Sequence, residues 1–182
     1  MGLYDVLKES LRLYLFDEEA IKSLKKRPEA FGWSFFVIVM AGIAIFLSTL
    51  LETLTFEEIF FGLIFTPIAF LIGTVVSFFA YHLLAKAFGG KAKAKEFFKT
   101  YANLSVAYWF TFIPILGSVL QFFVIIWSMV VTGFLLHKLH ELSVGRSIVV
   151  LLIPLVLFII IFVIVLFYVY GSIEPQYLGP FD

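Results

Sequence analysis

Four long stretches of this chain contain no Asp, Glu, Lys or Arg, and this absence is the strongest constraint on its fold. The stretches are residues 33–51, 59–85, 100–136 and 147–170. A soluble domain carries about 25% charged residues, whereas this chain is 14% charged and 62% hydrophobic. Apolar runs longer than about 18 residues are typical of transmembrane helices. The sequence therefore predicts an all-α integral membrane protein.

A cluster of lysines separates the second and third apolar stretches, and this segment contains a single acid, Glu96. Short loops rich in Lys and Arg stay on the cytoplasmic side of a membrane. The cluster therefore predicts a cytoplasmic loop, and it fixes the orientation of the other segments. These lysines are also the expected contacts for a partner or for anionic lipid heads, each worth about 1 kcal/mol near an anionic surface. They are Lys86, Lys91, Lys93, Lys95 and Lys99.

The distribution of basic residues favours five spans. Taken in order, the connections carry 6, 0, 5, 0, 2 and 0 Lys or Arg. With the N-terminus inside and the C-terminus outside, five spans place every base on the cytoplasmic side. The alternative, a re-entrant third segment, would place Lys138 and Arg146 outside. The expected spans are residues 33–51, 59–85, 97–113, 116–136 and 147–170, which together make one membrane domain over residues 33–170.

The two ends of the chain differ in charge. Residues 1–32 alternate acids and bases, and the spacing of Leu3, Leu7 and Leu11 predicts an amphipathic helix lying in the membrane interface. A short helix packed on the cytoplasmic ends of the bundle is the alternative. Residues 171–182 contain two acids and no base, which indicates a short external tail. We expect a multi-pass protein of the cytoplasmic membrane.

The residues that could carry chemistry are few. No ionisable acid or base lies within the spans, which argues against an ion-coupled transporter. The chain has no cysteine and none of the common catalytic motifs, so we expect no enzyme activity and no cofactor. His137 and His140 share a helical face, but their spacing matches no established metal motif, and we expect no metal.

Polar residues inside the membrane are the remaining candidates. Asn103, Tyr108 and Gln121 belong to the third and fourth predicted spans and could face one another. Hydrogen bonds between helices, worth about 0.6 kcal/mol each, explain them as structural contacts. The alternative is a small polar cavity, in which case the protein would be a small permease or channel with a polar path along these two spans.

Several residues in the second half of the chain resemble the Yip1 domain family. Leu84 to Lys91, followed by residues 97–101 and Pro114, resembles the glycine-plus-base loop of that family and the Tyr and Pro that follow it. The chain also resembles the segment that joins the last two helices of that family. The residues that carry this similarity are Trp127, Gly133, His137, Ser143, Arg146 and Pro154. The similarity in layout covers roughly residues 28–170 and is of the prokaryotic type.

This resemblance implies a five-span, non-enzymatic membrane protein. Eukaryotic relatives are associated with early secretory traffic and with lipidated Rab-type GTPases, but this chain differs from them in its short charged N-terminal region. The resemblance implies a scaffold or a partner- or lipid-binding protein acting through its cytoplasmic face. The expected partners are the lipid bilayer and other membrane proteins or a second copy of the chain, and no nucleic acid.

Overall fold

The computed structural model describes residues 2–49, 55–113 and 116–177, with only the backbone for residues 118 and 169–177. Every regular element in these residues is a helix. Seven are α-helices and one is a 3₁₀ helix. In chain order they are α1 (Leu3–Leu13), α2 (Glu18–Lys26), α3 (Ala30–Ser48), α4 (Phe56–Ala87), α5 (Ala94–Ala102), the 3₁₀ helix (Asn103–Phe112), α6 (Leu116–Leu139) and α7 (Val144–Tyr177).

Four of the described helices are long and apolar enough to cross a membrane, namely α3, α4, α6 and α7. Their bounds differ from those predicted. α4 begins at Phe56 because Thr55 and Glu58 form a capping box at its N-terminus. α7 continues to Tyr177, so the first part of the predicted tail is helical. The rest of the tail, residues 178–182, lies outside the described residues. So do residues 50–54, which include the end of the first predicted span, and residues 114–115, between the third and fourth predicted spans.

The third predicted span, residues 97–113, is built differently from the others. Its first part is the short helix α5, and from Asn103 to Phe112 the chain forms a 3₁₀ helix. A 3₁₀ run of ten residues is unusually long, and it lies directly against α3. The indole Nε1 of Trp109 donates to the Val37 carbonyl at 3.0 Å. The five-span count is therefore not confirmed by long α-helices alone.

The order of contacts shows that α5 and the 3₁₀ helix run parallel to α3. Phe98 of α5 packs on Phe31 near the start of α3, with ring centroids 5.4 Å apart. At the other end, Thr111 and Ser48 both lie against Gly117. α4 runs in the opposite direction to α3, because Gly62 near its start lies against Phe46. α3 thus lies between α4 and the 3₁₀ helix.

The N-terminal helix α1 packs on the 3₁₀ helix and buries Val6, Ser10 and Leu13. This buried face is adjacent to the face with Leu3, Leu7 and Leu11, which the sequence predicted to lie in the membrane interface. Leu7 and Leu11 line an apolar cavity between α1, α3 and the 3₁₀ helix. The interfacial position is therefore not confirmed, and the described contacts tie α1 to the bundle.

Candidate functional site

Three segments far apart in sequence meet at one end of the bundle. They are residues 18–27, 86–99 and 137–146, which we call the basic cap. Three ion pairs join them: Lys138 to Glu18 at 2.7 Å, Lys25 to Glu96 at 3.0 Å and Lys91 to Glu141 at 2.8 Å. The hydrogen bond from Lys91 lowers the pKa of Glu141. The three base-containing segments predicted to share one side of the membrane are therefore in contact.

A glycine turn connects the lysine segment to the loop between α6 and α7. Gly89 has a φ of 89°, a conformation that residues with a β-carbon rarely adopt. Gly90 has no room for a β-carbon because the imidazole of His140 and the Ala85 carbonyl lie against it. The amide of Lys91 then donates to the His140 carbonyl at 3.0 Å. These two glycines therefore determine how the two loops pack.

Lys99 is separated from the other lysines of the cluster. It is 4% exposed, and its ammonium donates to the Lys25 carbonyl and, at 3.0 Å, to the Arg27 carbonyl. These carbonyls lie at the C-terminal end of α2, where a cation interacts favourably with the helix dipole. Lys99 therefore holds α2 against α5.

The other lysines of the cluster are on the surface. Lys86, Lys93 and Lys95 are exposed, and Lys95 lies over the ring of Phe31, 5.2 Å from its centroid. Within residues 2–49, 55–113 and 116–168, no acidic side chain forms an ion pair with any of these three. The four acids of the basic cap pair instead with Lys22, Lys25, Lys91 and Lys138. The exposed lysines therefore leave a local surplus of positive charge.

Two histidines meet beneath the glycine turn. Nδ1 of His82 lies 3.4 Å from Nε2 of His140, and Phe97 packs against both rings. His140 is fully buried, and this burial lowers its pKa to about 4, helped by the nearby His82 and Lys86. The sequence suggested a shared face for His137 and His140. In the structure His137 instead contacts the Leu142 carbonyl, at 2.6 Å.

A polar cavity of about 430 Å³ lies inside the bundle, between α4, α6 and the segment formed by α5 and the 3₁₀ helix. The hydroxyls of Thr74 and Thr132 on its wall donate to carbonyls of their own helices. Six further hydroxyl-bearing residues on the wall have no such bond within their own helix. They are Ser77, Tyr81, Tyr101, Ser105, Tyr108 and Ser128.

The three intramembrane polar residues that could face one another according to the sequence have separate positions. Tyr108 lines the cavity. Asn103 is fully buried and donates to the hydroxyl of Ser34 on α3 at 3.0 Å. Gln121 is half-buried on α6 and does not line the cavity. One residue of the three therefore belongs to the cavity, and Asn103 acts as a contact between helices.

Three hydrogen bonds of Tyr14 near this cavity are not predicted by the sequence. The hydroxyl of Tyr14 donates to the Leu104 carbonyl and lies 2.9 Å from that of Ser128. The indole of Trp127 donates to the Tyr14 carbonyl at 3.1 Å. These bonds join residues about 90 to 114 positions apart, which no periodicity could reveal. They place the end of α1 beside the cavity.

Comparison with known protein families gives a match to the Yip1 domain over residues 12–166. The match begins in α1 and ends in α7, so it covers most of the chain. The chain belongs to the Yip1 domain family. No curated protein and no solved structure gives a significant match.

Membership in the Yip1 domain family agrees with the apolar helices and establishes a multi-pass membrane protein. The Yip1 family is not a known enzyme family. The residues that carry the resemblance include Gly89 and Gly90, the turn that packs on His140. They also include Gly133, which lies against Leu151 where α6 and α7 pack together.

Proposed function

We propose that this protein is a non-enzymatic membrane scaffold whose basic cap faces the cytoplasm and binds anionic groups. The source of those groups is either an acidic segment of a partner protein or the heads of anionic lipids. The observation that carries the proposal is that Lys86, Lys93 and Lys95 form no ion pair with any described residue, on a cap whose acids are paired with other bases. Each lysine near an anionic surface contributes about 1 kcal/mol.

The orientation rests on a fifth crossing made by α5 and the 3₁₀ helix together. From Thr100 to Phe112, beyond the basic cap, three α-helical and ten 3₁₀ residues rise about 25 Å at 1.5 and 2.0 Å per residue. The hydrocarbon core is about 30 Å thick, so this segment covers most of that thickness. Because this segment lies along α3, it crosses at the same depth. Five crossings put the N-terminus and the basic cap in the cytoplasm and the C-terminus outside.

The absence of cysteine makes the orientation simple to test. Single cysteines at Glu57, Ser143 and Asp182 would be labelled in intact cells with a reagent that does not cross membranes. Five crossings expose positions 57 and 182 and protect position 143 until the cells are opened. A third segment that turned back would reverse the result at 143 and at 182.

The binding surface is tested by reversing charge at the exposed lysines. The variant Lys86→Glu, Lys93→Glu and Lys95→Glu changes none of the ion pairs of the basic cap. The matched control replaces the same three residues with Arg, which keeps the charge. Three contributions of about 1 kcal/mol correspond to a loss of binding of about a hundredfold or more.

The measurement is affinity purification from native membranes in mild detergent, with quantification of co-purifying proteins and phospholipids. Loss of a protein partner from the Glu variant alone identifies an acidic partner. Loss of anionic phospholipid without loss of protein identifies the lipid surface. If the Glu variant retains the same proteins and lipids as the Arg control, the basic cap is not the binding surface.

A permease with a polar path along the third and fourth predicted spans is not favoured. Such a path needs Asn103, Tyr108 and Gln121 to share one passage. Asn103 is engaged with Ser34 on α3 and Gln121 lies away from the cavity wall.

A further inference from the structure

We propose that the cavity between α4, α6 and the α5–3₁₀ segment is a binding site for an uncharged, hydroxyl-bearing lipid of the diacylglycerol type. This site is separate from the basic cap and does not depend on the function proposed for it. A volume of about 430 Å³ lies within the usual range of about 300 to 1,000 Å³ for ligand sites.

The chemistry of the wall selects a neutral ligand. No Asp, Glu, Lys, Arg or His is among the described residues that line the cavity. A charged head would lose its hydration there without gaining an opposite charge, which is costly at membrane depth. Hydroxyl groups both donate and accept hydrogen bonds. A head with hydroxyl and ester oxygens can therefore pair with Ser105. It can also pair with Ser77 and Ser128, whose hydroxyls contact Tyr101 and Tyr14 and can each take part in a further hydrogen bond. A charged head cannot be neutralised there.

The shape of the cavity suits a molecule with a polar head and an apolar chain. Its wall follows α4 from Ala69 to Tyr81, a length of about 18 Å along the helix axis. Aromatic rings, including Phe70 and Tyr108, which pack edge to face at 5.1 Å, lie among the hydroxyl groups. An apolar chain can therefore lie against these rings while the head reaches the serines.

The cavity has access from the bilayer because α4 and α6 scarcely touch each other. Both pack on the α5–3₁₀ segment, which forms the floor of the gap between them. α7 also contacts both helices, but its buried residues within 144–168 are Ser147 and Val150, close to its start. From Val156 to Tyr168 every residue of α7 is exposed, so this part of α7 does not cover the gap. A lipid can therefore enter sideways from the membrane.

Gly73 allows the cavity to be filled without disturbing the bundle. It lines the cavity, and no described atom lies within 4 Å of a β-carbon placed there. The variant Gly73→Leu should occupy the space meant for the ligand. The matched control is Val76→Leu, three residues along the same helix on a side chain that is 61% exposed.

The test uses the full chain reconstituted into phosphatidylcholine vesicles with a photoactivatable diacylglycerol. Parallel samples carry a photoactivatable phosphatidylglycerol or a photoactivatable hydrocarbon. We expect the diacylglycerol to label peptides containing residues 69–81 and 125–132, and unlabelled diacylglycerol to compete for that labelling. Gly73→Leu should reduce the labelling by about tenfold, whereas Val76→Leu should leave it unchanged.

Three results would overturn the proposal. The first is equal labelling of these peptides by the hydrocarbon probe, which would mean ordinary contact with bulk lipid. The second is preferential labelling by the anionic probe. The third is labelling that unlabelled diacylglycerol cannot compete away. Competition is measured on the unaltered protein, so the test remains decisive even if Gly73→Leu fails to fold.

Discussion

α3 and α7 are both apolar helices able to cross a membrane, yet they are packed very differently. In an apolar 18-residue stretch of each helix, 44% of the α3 stretch is buried inside the protein, compared with 6% of the α7 stretch. α7 is the more hydrophobic of the two, with a mean hydropathy of 3.7 against 2.3. Hydrophobicity therefore does not decide which helix is central. This is expected in a bilayer, where lipid tails are as apolar as leucine.

Small and polar residues account for the difference. α3 buries Ser34, Ala41, Gly42 and Ala44, and such residues let neighbouring backbones approach closely. In α7, every residue from Val156 to Tyr168 is exposed outside the chain. That stretch consists of large aliphatic and aromatic side chains. The central helix is therefore the one that other helices can approach most closely.

The largest expected effect on stability comes from blocking the close contact of α3 with α4 at Gly42. A β-carbon there would overlap the backbone of Pro67 in α4, and backbone atoms cannot move aside as side chains do. We expect Gly42→Leu to lower the free energy of unfolding by about 3 kcal/mol. Thermal unfolding of the purified protein in detergent, followed by tryptophan fluorescence, measures the change.

The control for this prediction is Gly32→Leu on the same helix. No described atom lies within 4 Å of a β-carbon at Gly32, so the same substitution should cause no loss of stability. If both variants unfold at the temperature of the unaltered protein, the close contact between α3 and α4 is not what holds α3 in the centre.

The next effect concerns His140, which is buried in the loop four residues before the start of α7. In the folded protein burial lowers the pKa of His140 to about 4, whereas an unfolded histidine has a pKa of about 6.5. The unfolded chain therefore binds more protons between these values, and stability falls as the pH drops from about 6.5 towards 4. Between pH 7 and pH 5 we expect a loss of about 2 kcal/mol.

This pH dependence is measured as the change in unfolding temperature across a series of buffers. The variant His140→Asn should flatten the curve over this range, whatever its stability at neutral pH. Using the slope rather than the absolute stability separates titration of His140 from simple loss of packing against Phe97. An unchanged slope in the variant would mean that another group causes the dependence.

The difference between α3 and α7 also shows what the sequence could and could not predict. The positions of 13 basic residues were enough to predict that residues 1–32, 86–99 and 137–146 share one side, because the positive-inside rule acts on each loop separately. The structure brings these segments into contact. The runs without charge likewise predicted four of the long helices, to within a few residues for α3 and α4.

The rest depends on contacts between distant residues. The 3₁₀ helix carries the same apolar composition as an α-helical span, so hydropathy does not distinguish them. Its position is set by Trp109 bonding to Val37 and by Asn103 bonding to Ser34, and neither bond has a periodic signal. The pairing of His82 with His140 also depends on the turn at Gly89 and Gly90, which the sequence indicates only as a loop after a helix.

The smallest expected effect tests whether the outer part of α7 faces lipid. Ile161 is 60% exposed, so truncation to Ala leaves a space that lipid chains can fill, and the cavity cost of a buried site does not arise. We expect Ile161→Ala to change the free energy of unfolding by less than about 0.5 kcal/mol, measured by thermal unfolding as above. A loss of 2 kcal/mol or more is typical of a buried isoleucine. Such a loss would mean that this face is covered in the membrane by another protein or a second copy, and that α7 is peripheral only within a single chain.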